Sequence, residues 1–496
     1  MVRIETHISV VYLAGRYAYK ICKPVDLGFA DFTTVSARLE CCRKALQLNR
    51  RLAPSLYLCV ETIRRFRGSF EIGRIGRPVD YALKMRRFDE RDTFSEQIAH
   101  AALQGCDIDR IAQKLAHFHL HAADRPPRGT FGSAARTSEQ LDAALRSLER
   151  IAPTRISGGV RDWYRQEIAR QRSHFETRRE QGFVKACHGD LHLGNIVRRR
   201  GELACFDCVE FSDELRWIDI AADIAFLVMD LLAHERGDLA TRLLNVWLEC
   251  TGDYAGLAAL RLYVVYRALV RALVAALKQR DHPRDDAAAA AFDAYFGLAV
   301  RLTAPASPFV ILCHGFSGSG KSVASKALAQ RIGAVRLSSD IERKRPMRDD
   351  GAFASARYTD EAIDNNYARL RMLAETTLDA LCPVIVDATF LKRAHRASFI
   401  ELAAGRSIPV YIATFNADLP VLAERLKRRA DEGPQPSDAT ESVLRLQLER
   451  AEPLTYEESA IEVAFDTGVP PASFDDASFW RALLARLGPA RGWLAG

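Results

Sequence analysis

The sequence predicts two domains of different fold class: an N-terminal α+β domain with a helical second lobe, and a C-terminal α/β domain on a parallel, doubly wound sheet. Three observations predict this. Residues 8–88 read as successive strands with one helical stretch, residues 91–300 as long helical segments, and residues 309–414 as strands alternating with helices. A connector, Thr303-Ala304-Pro305-Ala306-Ser307-Pro308, separates the helical region from the alternating one. The 496 residues exceed a single core, and at about 150 residues per domain they suggest roughly three units. The sequence is therefore divided into a small lobe at 1–90, a helical lobe at 91–302, a linker at 303–308 and a second domain at 309–496.

Taken in order, residues 8–24 form two β-rich runs around Ala14-Gly15, a hairpin signal that places Lys20 in the second strand. A helical pattern covers 34–52, and strands are expected at 56–63, 70–75 and 81–88. The long helical region is interrupted at 183–197 and 203–209, which read as short strands around a loop. Beyond the connector, strands are expected at 309–313, 334–337, 384–387 and 410–414, with helices at 323–332 and 360–381.

Composition limits the function classes. Hydrophobic residues at 48% and charged residues at 27% argue against long disordered regions. A net charge of +7 permits anionic ligands without implying nucleic acid. Eleven cysteines without paired spacings fit reduced thiols and a cytoplasmic location, and Cys205-Phe206-Asp207-Cys208 reads as strand rather than as a metal or redox pair. The N-terminus shows no charged region followed by an apolar core, so no signal peptide is expected. The longest apolar stretch, 218–233, carries Asp219, Asp223 and Asp230 and reads as a buried helix rather than a membrane span. His117 and His121 have the spacing of a zinc pair but no third ligand in view, and read as ordinary helix positions.

The most specific chemical signal is Gly315-Phe316-Ser317-Gly318-Ser319-Gly320-Lys321-Ser322, which fits the G-x-x-x-x-G-K-[ST] phosphate loop between a strand and a helix. Its glycines let backbone N–H groups turn inward on a triphosphate, Lys321 adds positive charge, and Ser322 can ligate magnesium. Downstream, Asp340 follows the next strand as a base or anchor for a substrate hydroxyl, and Asp387 ends a strand as an outer magnesium ligand. Arg425, Arg428 and Arg429 share one side of a helix, where they can form a lid that offsets charge during transfer. A proline-bearing loop is expected at 433–438.

A second constellation lies upstream. His188-Gly189-Asp190-Leu191-His192-Leu193-Gly194-Asn195 puts Asp190 and Asn195 five residues apart in a loop, and a strand then delivers Asp207. Phosphoryl transfer needs a carboxylate to take the acceptor proton, the role of Asp190, and oxygen ligands for magnesium, the roles of Asn195 and Asp207.

On these residues, with Lys20 in the preceding sheet, residues 1–300 resemble the aminoglycoside phosphotransferase and choline kinase branch of the protein-kinase-like fold. The resemblance implies a bilobal fold, phosphate binding by Lys20, adenine near 81–87 and Asp190 as catalytic base. One departure is that the small-lobe helix has no acid at its centre to pair with Lys20; Glu40 is the nearest. Residues 309–470 resemble the small-molecule and polynucleotide kinases of the P-loop class, through Ser338-Ser339-Asp340 with Arg343, through Val386-Asp387-Ala388-Thr389-Phe390 followed by Arg393 and Arg396, and through the arginine lid. The whole chain resembles bacterial fusions of these two domains.

The expected function is an ATP- and magnesium-dependent kinase with two nucleotide sites and a small-molecule acceptor. Nucleic acid is a possible acceptor but not the favoured one, and no membrane partner is expected. Two alternatives remain: an N-terminal pseudokinase that senses a ligand and regulates a C-terminal kinase or ATPase, and a nucleic-acid 5′-end kinase suggested by 198–200 and 342–345.

Overall fold

The computed structural model describes residues 2–6, 8–26, 31–72, 75–126, 129–153, 155, 158–345, 359–431, 440–488 and 492–495. Its first elements are β1 (Val2–Glu5), β2 (Ser9–Ala14), β3 (Tyr17–Cys22), α1 (Val35–Asn49), β4 (Tyr57–Phe66), β5 (Ser69–Ile72) and β6 (Arg77–Arg86). They form an antiparallel sheet in the order β1-β2-β3-β6-β4-β5. Helix α1 begins where the Thr34 side chain accepts the Ala37 N–H, and it buries Cys41, Cys42 and Ala45 against Leu56, Tyr57 and Leu83.

The helical region comprises α2 (Phe94–Ala99), α3 (Gly105–His121), α4 (Ala134–Ile151) and α5 (Gly158–Glu180). Then come β7 (Val184–Ala186), the hairpin β8 (Ile196–Arg199) and β9 (Glu202–Cys205), α6 (Asp213–Arg216) and β10 (Trp217–Asp219). Helices α7 (Ile220–Ala233), α8 (Gly237–Thr251), α9 (Leu257–Asp281) and α10 (Asp286–Arg301) close it.

The C-terminal elements are β11 (Val310–His314), α11 (Lys321–Ile332), β12 (Val335–Ser338), α12 (Ser339–Lys344), α13 (Asp360–Asp379), β13 (Val384–Asp387) and α14 (Arg393–Gly405). They continue with β14 (Val410–Asn416), α15 (Leu419–Asp431), α16 (Glu441–Arg450), α17 (Tyr456–Ala460), β15 (Glu462–Asp466) and α18 (Arg481–Leu487). The five strands are all parallel, in the order β12-β13-β11-β14-β15. Their buried faces are near-continuous Val, Ile, Leu and Phe, as a sheet covered on both faces requires. The register sets Asp387 beside both Cys313 and Ser338, at the carboxyl ends of the strands.

The fold class read from the sequence is the fold observed. Strands β1, β10 and β15 were outside the expected set. The chain divides into two compact units, 1–234 with 262–299, and 235–261 with 300–496. Helix α8 thus packs with the C-terminal unit although it precedes 303–308: it buries Leu243, Leu244, Trp247 and Leu248, and its Asn245 bonds the Ala334 carbonyl and the Arg336 N–H. Among the described residues no helix is long and apolar enough to cross a membrane; α7 is buried throughout its length.

Candidate active sites

In the N-terminal unit the loop after β7 is shaped by its backbone. Gly189 has φ +88°, and a Cβ there would lie 2.7 Å from the Leu215 carbonyl oxygen, so only glycine fits. Asp223 on α7 accepts the N–H groups of His188 at 3.0 Å and Gly189 at 2.9 Å, and bonds His119 Nε2 at 3.1 Å. Asp230, two turns further along, accepts the Leu193 N–H at 2.8 Å and the Tyr295 hydroxyl at 2.7 Å. Two buried carboxylates therefore pin the loop at both ends. Burial alone would raise the Asp223 pKa, but His119 and then His188 outweigh it and hold the group at about 2.

This loop presents Asp190. Asn195 donates from Nδ2 to the Asp190 carbonyl at 2.9 Å and to its Oδ2 at 3.2 Å, and His192 Nε2 lies 3.6 Å from Oδ2. Against the opposing effect of burial, His192 and His188 hold the Asp190 carboxyl well below the usual range, so it is ionised at neutral pH. Asp207, past β9, adopts φ +62°, a left-handed conformation that aspartate tolerates better than most residues. Its N–H donates to the Tyr57 hydroxyl at 3.0 Å. Lys20 on β3 lies 2.5 Å from Asp207 Oδ1 and 3.6 Å from Glu210 Oε1. Burial works to discharge Lys20; the two carboxylates prevail and keep it protonated.

Lys20, Asp190 and Asp207 line one cavity of about 1250 Å³. Arg86, Arg87 and Phe88, at and just past the end of β6, line it too. The structure thus brings together the sequence-predicted residues of this half, Asn195 through its bonds to Asp190. Glu40 is exposed and makes no bond to Lys20. Cys41 occupies the inner face of α1 instead, with its Sγ 3.5 Å from Cys22 Sγ and 3.9 Å from Glu210 Oε1. Glu210, three residues past Asp207 and only 5% exposed, supplies the second carboxylate at Lys20.

In the C-terminal unit the phosphate loop joins β11 to α11. Gly318 has φ +86°, and a Cβ there would meet the Leu422 carbonyl oxygen at 2.8 Å. Ser317 exchanges two hydrogen bonds with Gln447 of α16, at 2.9 and 3.0 Å. Lys321 donates to the Phe316 carbonyl at 3.1 Å, folding back over the loop. The Ser322 hydroxyl bonds Asp387, and Arg336 pairs with the same carboxylate from below while also meeting Ser325 Oγ at 2.9 Å and Glu249 Oε1 at 2.6 Å. Burial would raise the Asp387 pKa, yet Arg336, Lys321 and Ser322 hold it below the ordinary value. Asp340 sits in the first turn of α12 and pairs with Arg343 at 2.7 Å.

Lys321, Ser322, Asp340 and Asp387 line one cleft of about 130 Å³. Of the expected arginine lid, Arg425 and Arg428 do not. Arg425 donates to the Thr467 carbonyl at 2.7 Å and reaches the Gly318 carbonyl at 3.5 Å, bracing the loop from outside. Arg428 is exposed on α15, and the Arg429 side chain and the 433–438 loop lie outside the described residues. Arg396 is fully buried in a two-pronged pair with Glu458, a packing role. The basic run at 342–345 is also committed internally, with Arg345 and Arg369 on the buried Glu342.

Both sites offer hard oxygen donors of the kind magnesium takes: Asn195 and Asp207 in one, Ser322 and Asp387 in the other. In the second, Ser319 Oγ in the loop and Asn366 Oδ1 in the cleft wall are buried without a partner among the described residues. These donors fit a magnesium–triphosphate ligand. His117 and His121 are exposed on α3 with rings 4.2 Å apart; the buried histidine of that helix is His119. The donor atoms of His119, Cys187 and Asp223 lie within 4.8 Å of one another, but the Asp223 oxygens are already used by the loop.

Sequence reasoning missed Glu210, Asp223, Asp230, Gln447 and Asn366. The two aspartates had a signal: acids inside an apolar helix must be partnered when buried.

The sequence profile of the Phosphotransferase enzyme family matches residues 38–263, and that of an AAA domain matches residues 310–454. A gluconokinase from Sinorhizobium meliloti 1021 is 27% identical, covering 37% of this chain and 95% of its own, with a TM-score of 0.28. A choline/ethanolamine kinase family protein from Mesorhizobium loti is 15% identical over 61% of this chain and 88% of its own, with a TM-score of 0.39. Uncharacterized protein Rv2004c of Mycobacterium tuberculosis (strain H37Rv) and Uncharacterized protein Mb2027c of Mycobacterium bovis are each 30% identical over 88% of both chains. The protein therefore belongs to one family with these mycobacterial proteins, and in this chain a phosphotransferase-family region is followed by a P-loop domain.

Proposed function

We propose that the protein is an ATP- and magnesium-dependent kinase that phosphorylates a hydroxyl group of a small molecule at the Asp190 site and binds a second nucleotide at the phosphate loop. The observation that carries this reading is the convergence of Lys20, Asp190 and Asp207 on one cavity, with Asn195 fixing the Asp190 carboxylate. Lys20, kept charged by Asp207 and Glu210, holds phosphate oxygens. Asp190, ionised and oriented by Asn195, accepts the hydroxyl proton as the acceptor oxygen bonds the γ-phosphorus and the bond to ADP breaks. A magnesium ion on Asn195 and Asp207 would supply charge neutralisation at the transferring phosphoryl group. In the second site Lys321, the loop amides, Ser322 and Asp387 take the corresponding phosphate and magnesium roles, and Asp340 faces an acceptor.

The test is ATP-dependent phosphorylation across a metabolite and oligonucleotide panel, run on the full-length wild type, Asp190→Asn and Lys321→Ala. Transfer to a small molecule that is lost in Asp190→Asn supports the reading. Absence of both ATP binding and transfer in the Lys321→Ala protein would refute it.

A second reading rests on the absence of any α1 acid at Lys20: the N-terminal unit senses a ligand and regulates the P-loop site. Nucleotide binding with no Asp190-dependent transfer, and ligand-dependent turnover at the phosphate loop, would favour it.

A further inference from the structure

Beyond the residues of phosphate transfer, the cavity at Asp190 is walled by α9, which sends Arg267 and Arg271 into it from positions i and i+4, one above the other. Arg267 is 3% exposed. It lies over the rings of Phe226 and Tyr266, 4.8 and 5.3 Å from their centroids, and its Nε reaches the Ala222 carbonyl at 3.4 Å. Its terminal nitrogens make no hydrogen bond among the described residues, and no carboxylate lies within ion-pair distance. Arg271 is half-buried, 5.5 Å from the Tyr295 ring centroid; its side chain bonds that of Tyr295, with Asp230 and Asp190 near enough to favour its charge, while its Nε is buried without a partner among the described residues.

Several acids near the two arginines have partners of their own. Asp219 forms a bidentate pair with Arg178 at 2.5 and 2.7 Å. Asp230 accepts from Tyr295 and Leu193. Glu214 pairs with Arg136 at 2.6 Å, and Asp190 is held by Asn195 and His192. A buried guanidinium without a counterion is costly, and its fork of donors matches a phosphate or carboxylate. Arg267 is such a group, and the half-buried Arg271 stands one turn away beside the carboxylate that takes the acceptor proton.

Resting on the Asp190 reading above, we propose that the acceptor is an anionic alcohol, whose phosphate or carboxylate group is bound by Arg267 and Arg271 while its hydroxyl faces Asp190. Cationic acceptors, such as choline or an amino sugar, are disfavoured at this wall, where the buried Arg267 and the half-buried Arg271 repel them. The reaction moves the γ-phosphoryl group from ATP to the hydroxyl oxygen, gives its proton to Asp190 and releases ADP, so that the product carries one more anionic group than the acceptor.

Two measurements test this on full-length protein carrying Lys321→Ala, which silences the second site. In the first, glycerol 3-phosphate, glycerate, glycerol and choline are titrated calorimetrically without ATP. One or both anions should bind, showing which oxyanion is preferred, and glycerol and choline should not. Arg267→Gln and Arg271→Gln should each weaken that binding about tenfold or more. In the second, acceptor alcohols sorted by charge are screened for ATP-dependent phosphorylation. The arginine variants should raise the acceptor KM and leave the KM for ATP within about twofold, with Arg271→Lys restoring part of the loss and melting temperatures confirming folded protein.

Anion binding without transfer to any alcohol upholds the arginine site and sinks the kinase reading. A neutral or cationic acceptor sinks the arginine site and upholds the kinase. A rise in the KM for ATP instead would assign the arginines to the nucleotide and overturn the proposal, as would failure of both anions to bind.

Discussion

Replacing Asp223 by asparagine should loosen the catalytic loop from a position that touches neither substrate nor nucleotide. The carboxylate serves three donors, with Oδ2 taking the His188 N–H and facing His119 while Oδ1 takes the Gly189 N–H. An amide offers one acceptor oxygen, so at least one buried donor loses its partner, which costs about 1–3 kcal/mol, and the surviving bonds lose their ionic component. The depressed pKa of the carboxyl gives a second figure for the same contacts. A carboxyl displaced from 3.8 to about 2 contributes about 2 kcal/mol. Because the folded pKa is depressed, that stability is fully present above pH 3.8 and is lost as pH falls through about 2. Together these give a loss of about 2–4 kcal/mol, or about 30-fold faster hydrogen exchange at the lower bound, taking about 1.4 kcal/mol per factor of ten. The assay is amide exchange of the 187–193 peptide by mass spectrometry, alongside turnover. Unchanged exchange in Asp223→Asn, with the wild-type acid dependence retained, would refute the claim that this carboxylate holds the loop.

Three further substitutions separate the parts of the two sites. Lys321→Ala should abolish nucleotide turnover at the phosphate loop while circular dichroism stays that of the wild type, since the side chain lines the cleft and bonds a loop carbonyl. Glu210→Gln should raise the KM for ATP about tenfold through loss of the second carboxylate at Lys20, and Glu40→Gln should change nothing, because Glu40 is exposed. Gly318→Ala should eliminate phosphate-loop nucleotide binding measured by titration and lower the melting temperature, because a left-handed alanine costs about 1–3 kcal/mol and its Cβ meets the Leu422 backbone at 2.8 Å.

What could be read from the sequence was chemistry written in short spacings. The phosphate loop spans eight consecutive residues, and Asp190 with Asn195 spans six; such segments carry their own geometry, and the structure places them between the expected elements. What could not be read was set by pairing across the chain. Glu210 meets Lys20 across 190 residues because β3 and the segment after β9 face one cavity, and no local pattern marks it as the substitute for an acid on α1. Asp223 and His119 are 104 residues apart. Arg425 and Arg428 show the reverse error: helical spacing groups them on one face, but whether that face meets the cleft depends on how α15 packs. Arg425 turns to carbonyls behind the loop instead.

The same distinction bears on how the protein should be taken apart. A cut in the proline-bearing connector at 303–308 separates α8 from the unit it packs in. Asn245 then no longer caps the Ala334 carbonyl or the Arg336 N–H at the start of β12, two buried bonds in the sheet that positions the cleft. Glu249 is lost as well, and Arg336 keeps Asp387 as its one carboxylate partner among the described residues. A guanidinium relieved of one of two counterions draws harder on the other, and that other is the aspartate bonded to Ser322 in the phosphate loop. Inactivity of a fragment starting at residue 303 would therefore report the missing helix rather than the absence of a catalytic site, whereas a fragment in which 235–261 is retained alongside 300–496 keeps both carboxylates on Arg336.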